Sequence, residues 1–351
     1  MKSLIIALLT GVFIFHAGTD AQGQSNFAVL QIGTGEVPNI AIDKQGTIHI
    51  IYGNGDSIMY AFSSDHGKNF STPKLIASLQ GLFSFAMRGP QIACTADAVV
   101  VTACTQSGDI YAFRKQANGN WTKTVRLNNI AGAAKEGMMA LDAAQKNIFA
   151  VWLDSRYGHN QVYGARSADG GKTWQKNQLI YKSPDTVVCS CCKPAVAVKE
   201  NNVYVMFRNW LNGSRDLYLA SSNNAGKSFQ KVEKLGKGTW KLNGCPMDGG
   251  GLAINYKGDV STVWRRENKI YSCMPGHQET EIDEGRNCSI AYSGVRKIFA
   301  FTKEGEVIIR DRNKITNPGK GSLPVVKTID ANSVLCVWEN EKQILGVVVN
   351  L

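Results

Sequence analysis

Beyond the first two dozen residues, apolar runs of roughly four to eight residues alternate with clusters of Gly, Asn and Asp, and no stretch holds a helical period. The pattern predicts an all-β chain. The runs recur in a fixed order. A first strand reads Pro/Gly-x-x-Ala at Pro38–Ala41, Pro90–Ala93, Gly137–Ala140, Pro194–Ala197 and Gly250–Ala253. Weaker copies follow at Cys288–Ala291 and Pro324–Lys327. A second strand ends near an aromatic in most units: Ile48–Tyr52, Val99–Ala103, Ile148–Trp152, Val203–Phe207, Val260–Trp264, Ile298–Phe301 and Val334–Trp338. A third strand follows each, and a fourth follows in the earlier units. Seven units of roughly 45 residues suit four-stranded propeller blades. The last unit lacks an outer strand, which Phe27–Ile32 would supply from the N-terminal side, closing the ring.

Three units carry the same turn between strands three and four: Ser63-Ser-Asp-His-Gly-Lys-Asn-Phe70, Ser167-Ala-Asp-Gly-Gly-Lys-Thr-Trp174 and Ser222-Asn-Asn-Ala-Gly-Lys-Ser-Phe229. Asp or Asn accepts hydrogen bonds from turn amides, Gly takes a positive φ, and the aromatic packs back on the sheet. These turns resemble the Asp-box (BNR) repeat of sialidase-type β-propellers. The resemblance implies a single propeller over residues 22–351, with the boxes on the face away from the functional site. Sialidase catalytic domains have six blades, so six is the alternative to the seven units counted.

Lys2, the apolar run Leu4 to Phe15 and Thr19-Asp-Ala21 read as a signal peptide over residues 1–21, so the chain is expected to be exported to a periplasmic or extracellular space. That run is too short to favour a membrane span, and no later stretch is long enough. The formal charge of +11 is unchanged by loss of Lys2 and Asp20. Such an excess favours anionic partners. The lysines are scattered and no nucleic-acid motif occurs, which leaves an acidic glycan or another small anion as the expected ligand. Nine cysteines in an exported chain predict disulfides with one thiol left over.

Candidate chemistry follows from blade geometry. Loops entering first strands and loops joining strands two and three share one face, where ligand sites of such rings lie. The entering loops bring Arg88, Glu136, the Cys189–Lys193 segment, Asp248 and Arg286; the other loops add Asp154, Arg156, Arg208, Asn209, Arg215, Asp216, Arg265 and Arg266. Arginine suits bidentate carboxylate recognition, and paired carboxyls suit acid–base work. Each could equally tie neighbouring blades to one another. Cys245 is expected to bond to one of Cys189, Cys191 or Cys192; the alternative for this group is a copper(I) or zinc site, and no other cofactor is expected.

Met87-Arg88-Gly-Pro90 resembles the arginine motif of sialidases, which hold a sugar carboxylate with three arginines and use a Tyr nucleophile, a Glu and an Asp. The resemblance implies Arg88, Arg208 and Arg265 or Arg266 as the anion-binding set. Glu136, Asp154 or Asp248 would supply proton chemistry, and Tyr271 is the candidate nucleophile. A closer resemblance is to exported bacterial sialidase-like proteins, through Arg88–Ala93, Glu136–Met138, Val151–Arg156, Cys189–Pro194, Arg208-Asn209 with Arg215-Asp216, and Cys245–Gly250. Two readings stay open: exo-hydrolysis of an acidic glycoside, and binding of an anionic glycan or protein partner without turnover.

Overall fold

The computed structural model describes residues 27–116, 119–185 and 187–351; the expected signal peptide lies outside them. Seven four-stranded antiparallel sheets follow one another along the chain, and no helix occurs among the described residues. Blades 1 to 6 span 36–78, 91–126, 139–181, 195–234, 250–284 and 286–320. Blade 7 takes three strands from 322–350, and its outer strand is Val29–Thr34, which pairs antiparallel with Gln343–Asn350. The closing strand thus begins two residues later than the sequence pattern placed it. The first strands of successive blades pack against one another, and Glu36–Ile42 packs back on Ser322–Asp330 to complete the ring. The architecture is a seven-bladed β-propeller, and the six-blade alternative is excluded.

Strand alternation puts apolar side chains on both faces of each blade, and the core is correspondingly divided. Each of seven apolar clusters straddles one blade interface, for example Ile51, Tyr60, Val101 and Phe113 between blades 1 and 2, and Phe149, Val151, Val205 and Phe207 between blades 3 and 4. The alanine that ends each first-strand motif is buried in blades 1 to 4 and 6, where a small side chain lets inner strands approach. Lys327 stands at that position in blade 7 and is exposed.

The three repeated turns have one hydrogen-bond scheme. Ser167 Oγ donates to Asp169 Oδ1 at 2.8 Å and accepts from Gly171 N at 2.9 Å, while Asp169 Oδ1 accepts from Thr173 N at 2.9 Å. Ser63 with Asp65, and Ser222 with Asn224, repeat it. Gly171 has φ +82°, and a Cβ there would lie 2.8 Å from Val100 of the preceding blade. The glycine is therefore fixed by handedness and by close approach together. These turns join strands three and four, on the face opposite the arginine-bearing loops.

One disulfide is present, Cys191–Cys245, joining the loops that enter blades 4 and 5. The other seven cysteines are free thiols, so the expectation of several disulfides is corrected. Cys104, Cys273, Cys288 and Cys336 sit in blade-interface clusters as small apolar residues. Burial pushes the Cys94 and Cys104 thiols up to about 12, which keeps them protonated.

Candidate functional site: an arginine and thiol cluster at blades 4 to 6

Where second strands end, their last residues pass from the blade core to the rim. Arg208 closes Asn202–Arg208 of blade 4 and is only 2% exposed. Its guanidinium donates to Arg215 O at 2.7 Å and to Arg265 O at 2.8 Å, tying blade 4 to blade 5. Trp240 lies beneath it, with the ring centroid 5.4 Å from the guanidinium carbon, and Arg265 approaches the same ring at 5.5 Å. Trp240 is held by Asp216, whose carboxylate accepts from the backbone of Trp240 and the hydroxyl of Thr239 and pairs with Lys234 at 3.1 Å.

Asp248, fully buried, enters blade 5 beneath these arginines. Arg265 Nη1 lies 3.5 Å from its Oδ2, which also accepts from Asn287 N at 3.3 Å. The exposed Arg286 donates to Met247 O at 3.3 Å, one residue away. Burial pushes the Asp248 carboxyl up, while Arg208, Arg265 and Arg286 pull it down. An internal carboxylate thus stands among three arginines. Three buried polar atoms nearby have no partner: Arg208 Nε, Asn209 Oδ1 and Asp248 Oδ1. Such atoms are uncommon and costly; Arg208 Nε and Asp248 Oδ1 lie at the junction of blades 4 and 5, while Asn209 turns toward blade 3.

Next to the arginines stand the sulfurs. Cys189 and Cys192 are buried thiols with Sγ atoms 3.3 Å apart, and Cys189 Sγ is 3.6 Å from Cys191 Sγ of the disulfide. Arg215 donates to Cys189 Sγ at 3.1 Å while stacking on Trp210. The facing Cys192 thiol, aided by Arg215 and Arg208, pulls Cys189 down to about 6 against burial. Cys192 is driven far the other way by burial and by its bond to Cys189. Cys189 is therefore the more acidic thiol of the pair.

The remaining sequence candidates lie in separate groups. Arg88 donates to Glu136 O at 2.7 Å, approaches the Glu136 carboxylate at 3.9 Å and covers Phe85, so it ties blade 2 to blade 3. Asn160 donates to the same carboxylate at 3.2 Å. Asp154 is fully buried, accepts from Trp152 Nε1 at 2.8 Å and chelates Arg156, which also lies over Tyr163. Asn209 donates to the Tyr181 hydroxyl at 2.9 Å. Arg265 and Arg266 are consecutive strand residues, so they point to opposite sides. Arg266 covers the Tyr271 ring at 4.0 Å and pairs with Glu279 at 2.5 Å. Glu279 is held down at about 2, against burial, by Arg266 and by the amides of Lys237 and Gly238. A carboxylate that acidic is a poor base for the Tyr271 hydroxyl. Glu279, beside Tyr271 through Arg266, is not among the acids named from sequence.

Sequence reasoning did not single out Trp240 or Glu279, and it did not foresee that Cys189 and Cys192 remain thiols. Trp240 carries no local motif; only its position in the loop before blade 5 hints at a rim location. A cleft of about 460 Å³ also opens on this face between blades 6, 7 and 1. Its walls carry both signs, Glu36, Glu339 and Glu341 with Lys320 and Lys342, and Glu36 adds to the burial that raises Glu339.

The fold and this rim define a seven-bladed propeller with a cationic cluster on the face opposite its repeated turns. No protein-family model matches the sequence, and no curated protein matches it. Among solved structures, it is similar to a lectin from Burkholderia pseudomallei, with a TM-score of 0.63 at 9% identity over 92% of this chain and 97% of that one. Virginiamycin B lyase from Staphylococcus aureus gives 0.56 at 11%, over 93% and 99%. A Trypanosoma rangeli sialidase in complex with the inhibitor DANA gives 0.51 at 12%, over 90% of this chain and 55% of that one. The chain spans about half the length of that sialidase. At such identities the likeness is one of fold.

Proposed function

We propose that the protein is an exported propeller that binds an acidic sugar or glycan at the rim of blades 4 to 6 and does not hydrolyse it. The observation that carries this reading is the charge of the cluster. Arg208, Arg215, Arg265 and Arg286 stand over the Asp248 carboxyl and the Cys189 sulfur, which leaves positive charge in excess whichever state those two groups adopt. Arg265 and Arg286 retain exposed edges, so a carboxylate can add to them without displacing Asp248. Against hydrolysis stands Tyr271, packed beneath Arg266, whose partner acid Glu279 is already fully engaged. A lectin and a sialidase among the similar folds fit a sugar-directed role.

Calorimetric titration with N-acetylneuraminic acid and galacturonic acid, beside their neutral counterparts, tests the proposal. Binding of the acids alone is expected, with affinity reduced about tenfold or more in Arg265→Lys, where the planar fork is lost. Loss of binding in Arg88→Ala with Arg265→Lys unaffected would move the site to blades 2 and 3. Release of fluorophore from an aryl sialoside, absent in Tyr271→Phe, would overturn the binding-only reading.

A further inference from the structure

The sulfur cluster has a geometry that anion binding does not use. Its surface member is the Cys191–Cys245 disulfide, with Cys245 exposed; its interior members are the Cys189 and Cys192 thiols. All three sulfurs of the 189–192 segment lie within 4.8 Å of one another. We propose that the four cysteines form a thiol–disulfide relay that carries two electrons from the buried Cys189/Cys192 pair, through the surface cysteines, to a disulfide in solution.

The steps balance. The Cys189 thiolate attacks Cys191 Sγ, and Cys245 leaves as a thiolate at the surface. Cys192 then attacks Cys189 Sγ; its proton passes to the departing Cys191 sulfur. The disulfide now joins Cys189 and Cys192, and Cys191 and Cys245 are a dithiol whose exposed member is Cys245. Cys245 next attacks the external disulfide and releases one thiol. Cys191 attacks Cys245 and releases the second. Overall the buried dithiol is oxidised and one external disulfide becomes two thiols, with no other oxidant required. The arrangement suits each step. Cys189 Sγ accepts from Arg215 Nη1 at 3.1 Å and lies 3.6 Å from Cys191 Sγ, so the sulfur whose thiolate is favoured faces the disulfide from inside the protein. The substrate class is an accessible peptide or small-molecule disulfide, because only Cys245 is open to solvent in this group.

The test uses the native, unreduced protein and an aryl disulfide, 5,5′-dithiobis(2-nitrobenzoic acid), as probe. About two equivalents of aryl thiol per chain are expected in a fast phase, in line with the stoichiometry above. Peptide mapping afterwards should find Cys189 joined to Cys192 and Cys191 to Cys245. Cys189→Ser should abolish the fast phase. Cys192→Ser, which leaves the first attack possible, should still expose Cys245 to alkylation without forming the inner disulfide. Circular dichroism of both variants confirms folding. The relay is overturned if native protein gives no fast phase, if that phase survives Cys189→Ser, or if purified protein carries stoichiometric zinc or copper lost on Cys189→Ser.

Discussion

Arg208 should be the most costly single side chain to remove from the rim. Arg208→Met keeps the bulk over Trp240 but leaves the Arg215 and Arg265 carbonyls without donors, each worth about 1–3 kcal/mol when buried. It also removes a positive charge that opposes the burial of Asp248. Two carbonyls left without these donors put the expected loss at about 2–6 kcal/mol, with the lost charge adding to it. The charge part has a sign in pH. Burial raises the folded-state pKa of Asp248, so its contribution to stability falls as pH rises from the usual carboxylate range through that raised value. Without Arg208 the value rises further. The penalty should therefore be larger at neutral pH than in the acidic range where Asp248 holds a proton. Adding Asp248→Asn should recover part of the loss at neutral pH. Denaturant titration followed by tryptophan fluorescence measures all three proteins. A loss below about 1 kcal/mol, or a penalty independent of pH, would show that Arg208 is not compensating Asp248.

Cys245→Ser opens a cross-link with a sequence separation of 54, and loop-closure entropy puts the loss at about 4 kcal/mol; reducing the wild type under denaturing conditions should give a similar shift in midpoint. Gly171→Ala meets both a φ of +82° and Val100 at 2.8 Å, so it should destabilise by about 2 kcal/mol or more in thermal unfolding, whereas Ala at Gly46, with open space around it, should lose only the backbone share. Glu279 is held down at about 2, so the stability it adds is complete above its usual value of 4.5 and is lost as pH falls toward 2. Acid denaturation of Glu279→Gln should accordingly show a flatter pH dependence over that window.

The repeats were legible because each blade must solve the same packing problem. The Ala at the end of the first strand, the apolar second strand and the Gly of the turn each answer a local steric demand that recurs at a fixed spacing. The missing outer strand of the last unit was legible for the same reason: an incomplete repeat requires a donor. The site was less so. Sequence places Arg88, Arg156, Arg208 and Arg265 on one face, but only side-chain packing shows that Arg88 binds Glu136 while Arg208 and Arg265 share Trp240. The adjacent Arg265 and Arg266 diverge by strand alternation, a distinction that depends on the register of a single blade. Among the cysteines, spacing gave the partner of Cys245 only as one of three, because the choice is set by loop geometry of about a side chain's width.

The ring is closed by the strand nearest the N-terminus among the described residues. Val29 pairs with Val347, so a segment that leaves the ribosome early has no partner until the last residues arrive. At about 5–20 residues per second, that wait is roughly 15 to 60 s. Throughout it, Ile32 and the apolar face of blade 1 that packs on blade 7 stay uncovered. Ring closure is thus a timing problem as well as a packing one, and a chain that stalls short of Gln343 is left with a free apolar edge at each end.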